Sequence, residues 1–171
     1  MRPKTIAYEI ITLLSGFTVD LAVHRLLRTK APVICSGVFK TFKGAIVFDE
    51  QNPAASKFDV SIDAASINTG NGLQNKHAKS DEWFDVAKYP QIRYISQKFV
   101  KAGAGYQVTG DLEVHGVKKA VTIPFTFQKT AKGAVFAGSF TVNRNDFKLG
   151  KPGGDVGEQI KIDISVPVTK Q

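Results

Sequence analysis

From Gly37 to the C-terminus, apolar and polar residues alternate with a period of two. Val121, Ile123, Phe125 and Phe127 share one parity against Thr122, Pro124, Thr126 and Gln128. Tyr106, Val108, Leu112 and Val114 do the same against Gln107, Thr109, Asp111 and Glu113, and Phe136, Phe140 and Val142 follow suit. Ile160, Ile162, Ile164, Val166 and Val168 end the chain against Lys161, Asp163 and Ser165. Side chains of an extended strand point alternately to its two faces, so this period predicts strands with one buried and one wet face. Short turn-forming segments separate them: Ala102-Gly103-Ala104-Gly105, His115-Gly116, and Thr130-Ala131-Lys132-Gly133. Those lengths suit antiparallel hairpins. Regular strand spacing with one apolar face throughout predicts an all-β fold, a closed or nearly closed antiparallel barrel.

Two segments break the pattern, Asn71 to Pro90 and the glycine-rich stretch from Gly150 to Gly157. The first is polar and helix-prone, and it carries the only tryptophan, Trp83, beside His77. Ser80 followed by Asp81 and Glu82 reads as a helix N-cap with carboxylates in the first turn. His77, Ser80 and Asp81 superficially suggest nucleophilic hydrolysis. That chemistry needs a base against the nucleophile and an oxyanion hole, and no nucleophile elbow is present. A metal site needs convergent ligands, whereas His24, His77 and His115 are far apart in sequence and none has a ligand at helical spacing. Gly150-Lys151-Pro152-Gly153-Gly154 lacks the spacing of a phosphate-cradling loop and reads as a turn. Arg144 and Asp146, two apart at a strand end, either hold the barrel mouth together or present the arginine to an anionic head group.

Composition narrows the picture. The chain has 171 residues, 43% of them apolar and 12 of them Phe, enough for one domain with a real core. A single cysteine, Cys35, excludes an intramolecular disulfide framework and a multi-cysteine metal site; it reads as a small apolar residue. The formal charge of +8 comes from lysines spread through most segments and interleaved with acids, which argues against nucleic acid. Such a surface attracts anionic lipid or a phosphorylated ligand instead. Met1-Arg2-Pro3-Lys4 and the apolar run to Phe17 resemble a signal peptide, degenerate because Glu9 interrupts it and no small-x-small cleavage site follows. No apolar run reaches the ~18 residues of a membrane-spanning helix, so no transmembrane span is predicted. The large inward parities either fill the barrel or line a cavity; alternation alone does not choose.

Four blocks resemble the YceI-like family: Ser66-Ile67-Asn68-Thr69-Gly70-Asn71; His77 and Ser80 with Trp83 to Pro90; Gly110 to Val117; and Val142-Asn143-Arg144-Asn145-Asp146-Phe147. They occur in the family's order, and the likeness covers residue 37 to the C-terminus. The resemblance implies a lipocalin-like barrel of about eight strands with a short helical loop, holding a polyisoprenoid chain in an apolar tunnel. It implies a binding protein rather than an enzyme, exported to the periplasm or secreted; the weak signal segment leaves a cytoplasmic location open. The expected ligand is an isoprenoid lipid (a polyprenyl compound, a quinone or a prenyl phosphate), with no other cofactor, no metal, no nucleic-acid partner, and a homodimer left open. The inward residues Tyr106, Val108, Leu112, Phe125, Phe136, Phe140, Val142 and Ile162 are then expected to line the cavity with Trp83 and Phe84. His77, Lys79, Arg144 and Asp146 are the polar candidates for the head group or loop. The alternative is an enzyme acting on a lipid or its head group through the His77 loop.

Two departures stand out. Gln74 and Asn75 occupy the places of an Arg-Asp pair that often precedes the family's histidine, which removes an ion pair from the loop. Phe17 to Ala22 resembles the family's start, but Val23 to Cys35 neither alternates nor matches. That stretch, with Arg25, Leu26, Leu27 and Arg28, is a lineage-specific replacement or a locally out-of-frame segment. We therefore divide the chain into an atypical segment, 1–36, with an altered first strand, and a barrel domain, 37–171.

Overall fold

In a computed structural model of the chain, the alternating segments form one antiparallel sheet of eleven strands among the described residues, which are 6–9, 18–25, 33–153 and 156–170. The strands are β1 (Ile6–Glu9), β2 (Thr18–Arg25), β3 (Val33–Phe39), β4 (Phe42–Phe48), β5 (Lys57–Asp63) and β6 (Ile67–Asn68). There follow one helix, α1 (Gly72–Lys79), and then β7 (Gln91–Ala102), β8 (Gly105–Val114), β9 (Val117–Thr130), β10 (Gly133–Asn143) and β11 (Val156–Lys170).

Strands β4, β5, β7, β8, β9, β10 and β11 pair in succession. The sheet curls back on itself through the N-terminal strands. β1 pairs with both β4 and β11, β2 with both β11 and β3, and β3 with β6. β1 with β2, β3 with β4, and β5 with β6 therefore share places in the ring, which gives the expected barrel of about eight positions. All three predicted hairpins form. At the tightest, His115 and Gly116 both adopt positive φ, 51° and 71°, the hand that matches the twist of the flanking strands.

The N-terminal expectations meet the structure only in part. β2 and β3 lie in the same sheet as the later strands, so residues on both sides of position 36 contribute to the barrel. Most of the signal-like stretch (1–5 and 10–17) and the basic stretch around Leu26 to Arg28 lie outside the described residues. So do the side chains of His24 and Cys35.

The helix begins earlier than Ser80 implied. Asn71 is its N-cap, with Oδ1 accepting from the amides of Leu73 at 2.9 Å and Gln74 at 3.1 Å. Ser80 caps the other end: its amide and hydroxyl both donate to the His77 carbonyl, at 3.1 and 2.6 Å. The dipole explains the placement. Lys76, His77 and Lys79 fall in the last turn, where the negative end of the helix favours cations.

One end of the barrel is plugged with aromatic rings. Phe48, only 2% exposed, packs against Phe58, Tyr106, Phe125, Phe127 and Phe136 with centroids 4.8 to 6.4 Å apart. Most of these pairs are edge-to-face or tilted, the geometry that ring quadrupoles favour. A bulge at Gln97 supports the plug: the β7–β8 register shifts between Ser96 and Lys98, which turns Phe99 inward against Phe58. The Ser96 hydroxyl at this irregularity accepts from the Phe58 amide at 2.8 Å.

Replacing Phe48 with Ala should cost about 3–5 kcal/mol, read as a lower urea midpoint with an unchanged slope. A loss below ~1 kcal/mol would mean that the rings close over the gap. Tyr94 supplies a pH test. Its hydroxyl donates to the carbonyls of Val108 at 3.1 Å and Val121 at 3.2 Å. Burial, and then the charge of Asp111, hold its pKa above the ordinary 10.0. The native state thus keeps this proton after the unfolded state has released it. The stabilisation is complete below pH 10 and is lost as pH rises toward the native value. The urea midpoint should fall between pH 10 and about 12, and fall less in Tyr94→Phe; parallel curves for the two proteins would contradict the assignment.

Candidate ligand-binding site

Between the aromatic plug and the opposite end lies an internal cavity of about 150 Å³. Of the residues predicted to line it, Val108, Leu112, Phe125 and Phe136 do so from the buried faces of β8, β9 and β10. Phe84, Phe140, Val142 and Ile162 line it as well, whereas the predicted Tyr106 and Trp83 do not. Tyr106 stacks on Phe125 at 5.5 Å inside the plug. The walls that sequence reasoning missed come from the earlier strands: Ile46 and Phe42 on β4, Phe58 and Val60 on β5, Tyr94 on β7. Their signal is present, because Phe42, Ile46 and Phe48 share one parity, as do Phe58, Val60 and Ile62. Little polar surface faces the void. The Tyr94 hydroxyl is spent on backbone carbonyls, and the Arg93 guanidinium is turned to Asp59 at 3.0 Å.

A second pocket, about 470 Å³, opens at the mouth between α1, β3, β6 and the start of β11. Trp83 lines this pocket rather than the inner cavity, with Leu73, Gln74, His77 and Ala78 of the helix. Leu73 stands at the rim, 79% exposed. Phe84, Leu149 and Ile160 line both pockets and so form the partition between them. Each is buried, and Phe84 is held edge-on to Phe39 at 5.7 Å.

The four blocks that distinguish the sequence meet around this mouth. The Asn75 side chain accepts from the Thr69 amide and hydroxyl at 2.7 Å and donates to Asn68 Oδ1 at 3.3 Å, which ties α1 to β6. Trp83 donates its indole N–H to His77 Nε2 at 2.8 Å. An indole nitrogen can only donate, so this ring nitrogen of His77 is an unprotonated acceptor and its proton sits on Nδ1. Tyr89 packs edge-on to His115 at 5.0 Å, while His115 Nδ1 lies 3.3 Å from the Phe147 carbonyl. Gly150, at φ +67°, donates its amide to the Glu82 carbonyl at 2.8 Å; a Cβ there would sit 2.9 Å from the Trp83 ring. Only glycine fits that contact in that conformation.

Arg144 holds the other side of Trp83, with its guanidinium 5.5 Å from the ring. It is 1% exposed, and all five of its N–H donors are used within the protein. Nε donates to Gly157 O, one terminal nitrogen to Leu149 O and Asn145 Oδ1, and the other to Lys151 O and Val156 O, at 2.7 to 3.3 Å. Of the two roles open to it from sequence, the structure supports the structural one: no donor remains for a head group. Asp146 is exposed and forms no ion pair with Arg144. Lys79 is half-buried at the end of α1 and does not line either pocket. Of the four polar candidates, His77 alone lines one of these two pockets.

Among the described residues no group of three or more metal-ligating side chains converges, and no helix is long and apolar enough to cross a membrane. Arg144→Lys tests the keystone role. A lysine has three donors and no fork, so it leaves buried carbonyls unpaired. We expect a loss of about 3 kcal/mol in urea unfolding, with Trp83 emission shifted to the red in the folded state. Wild-type stability with unshifted emission would place the anchor of the loop elsewhere.

This geometry has close relatives. The YceI-like domain model matches residues 18–168. A UPF0312 protein of Pseudomonas savastanoi pv. phaseolicola is 38% identical over 136 residues, 75% of this chain and 70% of that protein. Protein YceI of Escherichia coli O17:K52:H18 is 33% identical over 141 residues, 79% of this chain and 74% of its own length. The crystal structure of BcnA from Burkholderia cenocepacia superposes with a TM-score of 0.81 at 26% identity, covering 91% of this chain and 98% of that one. A polyisoprenoid-binding domain from Saccharophagus degradans, implicated in plant cell wall breakdown, shares the fold with a TM-score of 0.71 at 15% identity, covering 98% and 99%. With a domain match from the second strand to near the C-terminus and relatives above 30% identity, the chain belongs to the YceI-like domain family.

Proposed function

We propose that the protein binds the hydrocarbon chain of an isoprenoid lipid inside the barrel and carries or stores it. The observation that supports this most is the pair of pockets, an apolar interior and an open mouth, separated only by Phe84, Leu149 and Ile160. The choice of an isoprenoid follows the Saccharophagus degradans domain, whose fold this chain shares. Each buried CH₂-sized group contributes ~0.8 kcal/mol, so an isoprene unit contributes roughly 2–4 kcal/mol gross. Several units would reach the practical ceiling of affinity before ordering costs are subtracted. No polar clamp is needed to hold the chain.

The inner cavity, about 150 Å³, is of the size that admits a benzene-sized guest. A longer chain therefore enters by moving side chains of the partition and the upper wall, while the aromatic plug stays in place. Binding rather than turnover is the activity we assign. The Nε2 lone pair of His77 is taken by Trp83, and the Ser80 hydroxyl is committed to the His77 carbonyl.

Native mass spectrometry of protein purified gently from cells tests the reading. We expect a species heavier than the bare chain that releases a prenyl lipid on activation, or a bare protein that takes up one equivalent of added prenyl lipid. A bare protein that takes up none would overturn it.

A further inference from the structure

We infer that the rings of Phe58, Phe125 and Phe136 are the stop that sets the length of chain the barrel selects. This rests on the isoprenoid reading and specifies which chains that site takes. The three side chains, from β5, β9 and β10, both line the inner cavity and belong to the aromatic plug. They pack on one another with centroids 5.5 to 5.9 Å apart, so they meet across the barrel as a floor. Gly138 stands at the next position of the same parity on β10 after Phe136, opposite Phe125. It lines the cavity without a side chain, which leaves space directly above the floor.

A second layer of rings braces the floor on the side away from the mouth. Phe48 touches all three floor rings, at 5.4 to 6.4 Å. Phe99 packs against Phe58 at 4.8 Å, Tyr106 stacks on Phe125 at 5.5 Å, and Phe127 lies 5.0 Å from Phe136. None of these four lines the cavity. A floor ring therefore cannot turn aside without displacing the rings behind it, which a close-packed interior resists. The opposite end is the partition, which opens on the mouth pocket. A chain entering there advances until its tip meets the floor, and whatever does not fit stays outside in water. Such a stop selects length when the chain comes from a membrane. Moving a unit from bilayer hydrocarbon into an apolar cavity changes its free energy little, whereas each unit left outside bears the full cost of wetting its apolar surface. A chain that is too short leaves part of the cavity unfilled. One length is therefore favoured.

The test is uptake from phosphatidylcholine vesicles that carry a ladder of prenyl alcohols in equal amounts, from geraniol to undecaprenol. The protein is recovered free of vesicles and its bound chains are read by native mass spectrometry. The wild type should show one favoured length, with a chain two units longer taken up at least about tenfold less. Phe136→Leu and Phe136→Ala lower the floor, and should move the favoured length upward, by about one isoprene unit in the alanine variant. Ile123 lines the cavity at the next inward position of β9 on the mouth side of Phe125, so Ile123→Phe raises the floor and should move the favoured length downward. Phe127→Leu, behind the floor, should lower the urea midpoint and leave the favoured length where it was. Wild-type uptake with no favoured length, or the same length in the wild type and in the Phe136 and Ile123 variants, would overturn the inference while leaving isoprenoid binding intact. A shift in Phe127→Leu as large as that in Phe136→Leu would also overturn it, by making the change a general loosening of the plug. Uptake of no chain at all would overturn the isoprenoid reading and this inference together.

Discussion

A sheet that pairs with itself has one inside, and every second residue of each strand has to be accommodated there. Closure depends on β11, which pairs with β10 along its length, with β2 along its first part and with β1 at its end. Without that strand the inner faces would be an open apolar surface. With it, they become an interior whose filling is decided residue by residue. At the end near the 102–105 and 130–133 turns, large rings meet and fill the space. Toward the mouth Val, Ile and Leu share the inward positions with more widely spaced rings such as Phe39, Phe42, Phe84 and Phe140, and a void is left between them. The same closure thus produces the stable core and the cavity, at different heights of one barrel.

The mouth is organised on a different principle, polar satisfaction rather than apolar packing. Arg144 gathers carbonyls from the connection between β10 and β11, and Trp83 lies between it and His77. A buried charge with every donor matched costs much to disrupt, because removing it would leave a group of carbonyls unpaired together. The loop it fixes carries Leu149, one of the three residues of the partition. Fixing the frame this firmly leaves the partition side chains as the parts that can move when a ligand enters.

The barrel was legible from alternation because each strand from β8 onward has one wet face, so parity reports orientation directly. The lining residues on β8 to β11 follow from that parity. Those on β4 and β5 carry the same signal in shorter strands, seven residues each, and in β4 Gly44 interrupts it. One reading failed for a physical reason. Ser80 with two following acids has the chemistry of an N-cap, but Asn71 caps first and the cations at 76, 77 and 79 suit the helix's other end. Arg144 at a strand end left two roles open, and its five partners decide between them; four of them are carbonyls 5 to 13 residues further along the chain. Backbone carbonyls have no sequence signature. The four family blocks were recognisable for the same reason that they proved structural: they are the residues that hold the mouth together.

The central claim is that an isoprenoid chain passes the partition and lies in the barrel. Methyl-resolved NMR of the intact protein, titrated with a short prenyl alcohol, tests it most directly. The account predicts saturable shifts at Val108, Leu112, Ile123 and Ile162, inside the cavity, together with Leu149 and Ile160 at the partition, while the exposed Val100 stays unmoved. Shifts confined to Leu73 and Val156 at the mouth, with the interior methyls unchanged, would contradict it.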